Sequence, residues 1–142
     1  MSALPAAPSL GNPMLEELGV ELVQWRAGYC EMALPLAPRH LNRRGRVQGG
    51  VAATLLDAAC GYAGLLSAAD GVAADAATIT LSVSYLRKLD QGRLRVIGRV
   101  TGEGRSIYFS SGELFAPDGS LAATAIGSFK KSTTTRAGET PC

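Results

Sequence analysis

Histidine, cysteine and aromatic residues are scarce in this 142-residue sequence, which holds one histidine, three cysteines and 6% aromatic residues. The cysteines, Cys30, Cys60 and Cys142, are far apart and odd in number, so they indicate neither a disulfide scaffold nor a metal site. Such cysteines favour a reducing compartment, and we predict a cytoplasmic location. The sequence also lacks a glycine-rich nucleotide-binding loop, so we expect no prosthetic cofactor.

Charged residues are few, at 18%, whereas hydrophobic residues make up 46% and the net charge is +2. This composition is apolar for a soluble monomer, so we expect an oligomer in which subunits cover part of the apolar surface. Four arginines cluster at Arg39, Arg43, Arg44 and Arg46, but no aromatic residues alternate with them, which argues against a nucleic-acid partner. They form either a solvated loop or a contact for a phosphate-bearing small ligand.

The longest apolar stretch, Val47–Ala69, carries one formal charge, that of Asp57. Its length is near the roughly 20 residues of a membrane helix. Small residues dominate it, however, an acid lies at its centre, and no tryptophan flanks it. We therefore predict a buried core helix and no membrane partner. The first residues also lack the basic and apolar regions of a secretory signal.

The length of the chain fits one domain. We predict a flexible N-terminal arm over 1–13, a folded domain over 14–131 and a disordered polar tail over 132–142. Hydrophobic spacing and turn residues define the elements of the domain. They are a helical turn over Met14–Leu18, strands over Val20–Val23 and Gly28–Leu34, a helix from Gly49, a linker over Leu66–Asp75, and strands over Thr78–Tyr85, Arg93–Thr101, Ile107–Ala116 and Leu121–Lys130.

This pattern predicts an α+β fold with one buried helix and about six strands. The connections between the last four strands are too short for crossovers, so we expect these strands to form an antiparallel meander. The sheet is expected to curl around the helix, because a helix that is apolar nearly all round must be covered on most sides.

Asp57 is the first candidate for chemistry, because an ionised carboxylate in apolar surroundings is costly unless it is paired or used. Gly49 and Gly50 precede it where the helix begins, and the first N–H groups of a helix lack intrahelical acceptors. The acid and the free amides would then lie on one helix, about two turns apart.

The run His40–Gly50, HLNRRGRVQGG, followed by Asp57, resembles the hotdog-fold acyl-CoA thioesterases of the PaaI type, the phenylacetate-degradation group. The pattern of that group is roughly H-x-N-x-x-G-x-x-H-G-G, with an acid eight residues after the first glycine of the pair. This sequence departs from it at Gln48, where the group has histidine. The strand Thr78–Arg87 is also similar to the group's, with Lys88 in place of proline, and the resemblance covers about residues 14–131.

The resemblance implies a hotdog fold, in which a curled antiparallel sheet wraps one long central helix. It also implies a homodimer that pairs again into a homotetramer, and hydrolysis of acyl-CoA thioesters with coenzyme A as part of the substrate. We expect small aryl or short to medium acyl groups, because the helix offers small residues that leave room. These are Ala58, Gly61, Ala63 and Gly64.

The resemblance further implies roles for single residues of the catalytic site. Thioester hydrolysis needs an attacking group or an activated water, and donors for the oxyanion. Asp57 would supply the first, and the sequence leaves open whether it acts as nucleophile or as general base. The Gly49 N–H would polarise the carbonyl, Asn42 would bind near the acid or the water, and Thr78 would reach the water from the facing subunit. Gln48 retains a hydrogen-bonding role but cannot transfer a proton as histidine does.

Residues that contact the substrate are expected around the same cleft. Gly50 would lie beside the thioester, and His40, the sole histidine, would position the loop rather than act as a catalyst. Coenzyme A carries phosphates, so basic residues are expected at the rim. The candidates are Arg87, Lys88 and Arg105, with Lys130 and Lys131 behind them.

Each candidate also has a purely structural interpretation. Gly49 and Gly50 could serve close helix packing, and Asp57 could be a buried acid bonded to backbone. Thr78 could be an ordinary strand residue, and Asn42 a turn residue.

Two other functions remain open. A non-catalytic acyl-CoA binding or sensing domain is compatible with glutamine at position 48, and binding without thiol release would reveal it. A hydratase or dehydratase is less favoured, because that chemistry usually needs a histidine near the acid.

Overall fold

The computed structural model describes residues 11–66 and 75–132. The predicted arm, linker and tail lie largely outside these residues. The described chain forms two α-helices, a short 3₁₀ helix and six strands. In order they are α1 (Pro13–Leu18), β1 (Glu21–Arg26), β2 (Tyr29–Pro35), the 3₁₀ helix (Pro38–His40), α2 (Gly49–Ala63), β3 (Asp75–Tyr85), β4 (Arg93–Glu103), β5 (Ile107–Phe115) and β6 (Leu121–Ser132).

Helix α1 confirms the predicted helical turn and begins one residue earlier, at Pro13. Asn12 caps it, because its Oδ1 accepts a hydrogen bond from the Leu15 N–H at 3.3 Å. Proline suits the first helical position, where no intrahelical donor is needed. The helix ends at Gly19, whose φ of 87° is a left-handed conformation that favours glycine.

The six strands form one antiparallel sheet in the order β1-β2-β4-β5-β6-β3. The predicted meander of the last four strands is therefore wrong, since β4, β5 and β6 are consecutive neighbours but β3 pairs with β6. The connection 86–92 has seven residues and can span about 23–25 Å, whereas three strand spacings amount to about 14 Å. A short connection therefore still reaches past two strands, the more easily because the sheet curls.

Helix α2 contacts all six strands, so the prediction of a sheet wrapped around one central helix is confirmed. Its buried residues form a broad apolar surface: Ala52, Leu55, Leu56, Ala59, Cys60 and Ala63. Glycine allows the closest approach, because a Cβ added at Gly98 of β4 would lie 2.2 Å from the Ala59 carbonyl oxygen. Within the described residues, no helix is long and apolar enough to cross a membrane.

Strand β3 is the most exposed strand of the sheet, and it lies at one edge. Ten of its eleven residues pair with β6 on one side, and none of the described strands pairs with it on the other. Ile79 on this strand and Leu86 just after it are 51% and 55% exposed. A long edge with exposed apolar side chains is a surface on which another strand can pair.

Candidate active site

Two cavities flank α2, and half of the predicted site residues line one or the other of them. The first, here called the Asp57 cavity, measures about 200 Å³ and is lined by Asp57, Thr54, Ala58, Gly61 and Thr78, together with residues of α1. The second, here called the Arg87 cavity, measures about 210 Å³. Its lining includes Asn42, Arg46, Tyr85, Arg87 and Lys88.

Asp57 is half-buried, and one of its oxygens is held in place. The Thr78 hydroxyl donates to Asp57 Oδ1 at 2.7 Å, and no donor among the described residues reaches Oδ2. Asp57 is thus bonded to a side chain and not to backbone. It lines the cavity, and one of its two oxygens has no partner among the described residues. Among the described residues that line this cavity, Asp57 is the one that carries a charge.

Thr78 makes this bond within its own chain, so the expectation that it reaches the site from the facing subunit is corrected. Strand β3 places it there because Thr78 pairs with Phe129 of β6. The Phe129 ring would lie 3.5 Å from a Cβ built at Gly61, four residues after Asp57 on α2. The inward face of this part of the β3–β6 pair therefore packs on the helix near the acid.

Burial keeps two groups near Asp57, the Cys60 thiol and the Tyr108 hydroxyl, in their neutral forms. Burial raises the pKa of the Cys60 thiol to about 12, and the Asp57 charge adds to the effect. Burial also raises the pKa of Tyr108, with smaller contributions from Cys60 and Asp57. The Tyr108 hydroxyl donates to the Gly61 carbonyl. Neither group is an activated nucleophile, because the reactive form of a thiol is the thiolate.

The start of α2 presents free amides, as the sequence predicts. Gln48 is the N-cap, and its carbonyl accepts from the Val51 N–H at 2.9 Å. The N–H groups of Gly49 and Gly50 have no acceptor among the described residues, and a Cβ at Gly50 would meet nothing within 4 Å. Close packing therefore does not explain the Gly50 position, and the positive end of the helix dipole faces open space.

His40 was expected to lie beside the substrate, and the structure corrects this. Its ring is fully buried, with Nδ1 accepting from the Ala37 N–H at 2.9 Å and Nε2 donating to the Leu18 carbonyl at 2.7 Å. Both ring nitrogens are occupied, so no group is left for a substrate. The His40 carbonyl accepts from the Gln48 N–H at 2.9 Å, so the residue positions the loop that leads into α2.

Asn42 organises the same loop. Its Oδ1 accepts from the Arg44 N–H at 2.9 Å and the Arg46 N–H at 3.2 Å, which is the geometry of a turn residue. The side chain lines the Arg87 cavity and not the Asp57 cavity. Within one chain, then, Asn42 does not lie near the acid as the resemblance implied.

The predicted basic residues divide between two ends of the sheet. Arg87 and Lys88 line the Arg87 cavity, next to the end of the β3–β6 ladder where Tyr85 pairs with Ala123. Arg105 belongs to the turn between β4 and β5, close to Lys130 and Lys131 at the other end of that ladder. Lys130 and Lys131 lie seven and eight residues from Ala123 along β6, or about 23–26 Å, so one chain does not bring these charges together.

Of the four small residues that were expected to leave room for the acyl group, two line the Asp57 cavity and two do not. Ala58 and Gly61 line the Asp57 cavity, as expected for space left to an acyl group. Ala63 is buried in the core, and a Cβ at Gly64 would lie 2.2 Å from the Tyr108 ring. These two residues serve packing, so the expectation that they leave room is corrected.

Sequence reasoning missed two contributions to the site. The residues Asn12, Met14 and Leu15 line the Asp57 cavity, although α1 showed only a short helical signal. Tyr85 donates its hydroxyl hydrogen to the Gly49 carbonyl at 2.7 Å. Its only sequence signal was an aromatic residue at the end of a strand.

A sheet curled around one central helix, with an acid on that helix facing a cavity, defines the architecture of a hotdog-fold protein. Residues 44–123, more than half of the chain, match the thioesterase superfamily, and the chain belongs to that family. The predicted relationship to PaaI-type hotdog thioesterases is confirmed at the level of family and fold.

Two relatives and three solved structures illustrate the similarity. The chain is 40% identical to a "Putative esterase" of Halobacterium salinarum over 77 residues, which is 52% of this chain and about half, 51%, of that protein. It is 28% identical to a "Putative esterase" of Saccharolobus solfataricus over 112 residues, which is 79% of this chain and 78% of that protein. The PaaI protein of the E. coli phenylacetic acid degradation operon superimposes with a TM-score of 0.78 at 18% identity and 88% coverage of both chains.

A thioesterase of Haemophilus influenzae gives a TM-score of 0.79 at 18% identity, with 91% of this chain and 89% of that chain covered. A conserved protein of Pseudomonas aeruginosa gives a TM-score of 0.75 at 26% identity, with 90% of this chain and 100% of that chain covered. These structures confirm the hotdog fold.

Proposed function

We propose that this protein hydrolyses acyl-CoA thioesters. The observation that carries the proposal is the state of Asp57, which lines a cavity of about 200 Å³ while its Oδ1 is held by Thr78 and its Oδ2 has no donor among the described residues. The carboxylate lies on a helix whose first amides are free, so the fold supplies both an attacking group and oxyanion donors. Membership of the thioesterase superfamily supports the same reaction.

The chemistry follows one of two routes. In the first, an Asp57 oxygen attacks the thioester carbon, the C–S bond breaks, and a mixed anhydride is then hydrolysed by water. In the second, Asp57 removes a proton from water, which attacks the same carbon directly. Both routes release a carboxylic acid and the thiol of coenzyme A, and both develop negative charge on the carbonyl oxygen.

Two copies of the chain are needed to assemble this site. Gly49 and Asp57 are eight residues apart on α2, or about 12 Å along its axis, and cannot both contact one thioester carbonyl. An antiparallel pairing of two β3 edges would bring the Thr78 end of one chain beside the Tyr85 end of the other. The proposed unit is therefore a homodimer, and pairing of two dimers into a homotetramer stays a prediction.

The same pairing explains the divided basic residues. Arg87 and Lys88 of one chain would lie beside the Arg105 end of its partner, where they could meet the phosphates of coenzyme A. Asn42 would likewise approach the partner's acid. The proposed location remains the cytoplasm, and we propose no prosthetic cofactor.

The acyl group would enter the Asp57 cavity. Its wall combines apolar residues, such as Leu15, Ala58 and Leu65, with polar ones, and Asp57 supplies the one negative charge among the described lining residues. A cavity of this size and character suits a small aryl or a short to medium acyl group.

The decisive experiment replaces the acid. Asp57→Asn keeps the shape of the side chain but removes the charge, so turnover of a panel of acyl-CoA thioesters should fall by at least about 10²–10⁴-fold, as measured by thiol release. Asp118→Asn, which changes an exposed acid in the β5–β6 turn, is the matched control and should retain wild-type turnover. Comparable thiol release by Asp57→Asn would contradict the proposal.

The same panel tests the other functions. Acyl-CoA binding without thiol release by the wild-type protein would favour a sensing domain. The hydratase alternative usually needs a histidine near the acid. The sole histidine, His40, cannot act as that base, because both of its ring nitrogens are bonded to backbone.

A further inference from the structure

Tyr85 lies at the end of β3 with its hydroxyl against the first turn of α2. The hydroxyl donates to the Gly49 carbonyl at 2.7 Å, and a Cβ added at Gly49 would lie 3.4 Å from the Tyr85 oxygen. The side chain is 55% exposed, so burial in the core does not account for its position. The contact thus depends on the hydrogen bond and on the absence of a side chain at position 49.

The Gly49 carbonyl and the Gly50 N–H belong to the same peptide group. A hydrogen bond to the carbonyl oxygen draws electron density through the conjugated C–N bond and makes the N–H of that peptide a stronger donor. The Gly50 N–H has no acceptor among the described residues, and the space beside Gly50 is open. The polarised N–H is therefore available to an incoming group.

Thr54 shows that the effect is specific to one amide. Its hydroxyl donates to the Gly50 carbonyl at 2.8 Å, and that peptide carries the Val51 N–H. The Val51 N–H already donates to the Gln48 carbonyl at 2.9 Å. Both Tyr85 and Thr54 donate to a carbonyl in the first turn of α2. Only the peptide that Tyr85 contacts has an N–H, that of Gly50, without an acceptor among the described residues.

We propose that Tyr85 is a positioning residue that orients and polarises the Gly50 N–H as an oxyanion donor, an inference that rests on the proposed thioester hydrolysis. Tyr85 acts through the Gly49 carbonyl and does not itself contact the thioester. The residue extends the site to the end of β3, the strand that also holds Asp57 through Thr78.

A test independent of activity uses the amide itself. In Tyr85→Phe the ring remains and the hydroxyl is lost, so the Gly50 amide proton should move upfield in the ¹H–¹⁵N NMR spectrum. Tyr29→Phe removes a hydroxyl that bonds Glu31 on the opposite side of the sheet from α2, and it should leave the Gly50 signal in place. An unmoved Gly50 signal in Tyr85→Phe would overturn the inference.

Kinetics test the consequence for the oxyanion. Strengthening a donor by 10–30%, where loss of the whole donor costs 10²–10³-fold, corresponds to about a two- to eightfold change in rate. Tyr85→Phe should therefore lower kcat by about two- to eightfold with KM nearly unchanged, and incorporation of 3-fluorotyrosine at position 85, a stronger donor, should raise kcat. Tyr29→Phe should leave both constants unchanged.

The outcomes separate this inference from the proposed function. If wild-type protein releases no thiol from any thioester, the proposed function fails, while the Gly50 signal still reports whether Tyr85 polarises the amide. If wild-type protein is active but Tyr85→Phe raises KM with kcat unchanged, Tyr85 is a substrate contact and the inference is wrong. Equal kinetics for Tyr85→Phe and wild type would overturn it as well.

Discussion

Asp57 shows how neighbouring side chains leave one residue free to react. Thr78 occupies one carboxylate oxygen, and burial keeps the nearby Cys60 thiol protonated by raising its pKa to about 12. Tyr108 is engaged with a helix carbonyl. The acid is therefore the one strongly nucleophilic or basic group that the described residues offer to this cavity.

Gln48 is the position at which this chain departs from the PaaI-type pattern that it resembles, and its role can be tested directly. The residue is exposed, and its side chain makes no capping bond at the start of α2. We expect Gln48→His to keep or raise turnover, because histidine retains the hydrogen-bonding ability of glutamine and can also carry a proton. Initial rates of thiol release across pH 6–9 measure the effect. A loss of more than about tenfold would show that the glutamine amide itself is required.

At the scale of single residues, the sequence predicts those site residues that are recognisable from their immediate neighbours in the chain. Asp57 stands out as a charge in an apolar run, and Gly49 with Gly50 as a pair at a helix start. His40 could not be placed, because its burial depends on the Leu18 carbonyl, 22 residues away. The Tyr85 contact was missed for the same reason, since it crosses 36 residues.

Helix α2 depends on glycine in the sheet that covers it. At Gly98 an added Cβ would lie 2.2 Å from the Ala59 carbonyl oxygen, and backbone cannot rotate away as a side chain can. We predict that Gly98→Ala lowers the free energy of unfolding by about 3 kcal/mol, measured by urea denaturation. Gly102→Ala on the same strand, where the nearest atom is 3.7 Å away, is the matched control and should change it by less than about 1 kcal/mol.

Strand positions were predictable from alternation, whereas strand order was not. The period-2 pattern located β3, β4, β5 and β6 to within a few residues of the observed bounds. It does not encode which strands pair, and the rule that short connections join neighbours failed at β3. The curl of the sheet decides this point, and it arises from packing all strands on one helix.

At the scale of the whole molecule, the proposed hydrolysis would need two copies of the chain. The acid and the free amides are about 12 Å apart along α2, whereas the proposed reaction would use both at one carbonyl. The exposed edge of β3, with Ile79 and Leu86, is the surface on which a second copy would complete the site. The low charge of the sequence indicates an oligomer, but it does not indicate which surface would pair. Only the fold shows that β3 has an exposed edge.

If two copies form the site, a monomer should be inactive. A variant that disrupts the β3 edge would test this prediction.

Mixed dimers distinguish a shared site from one built within a chain. Asp57→Asn removes the acid, and Gly50→Val fills the open space beside the helix start, so each variant alone should be inactive. In an equal mixture, half of the dimers contain one copy of each variant, and each such dimer has one intact site of its two. Thiol release should therefore recover to about a quarter of the wild-type rate. A mixture of Asp57→Asn with the double variant carrying both changes has no intact site and serves as the control. If native mass spectrometry shows mixed dimers while the rate stays at zero, acid and amide must act within one chain, and the two-copy site is wrong.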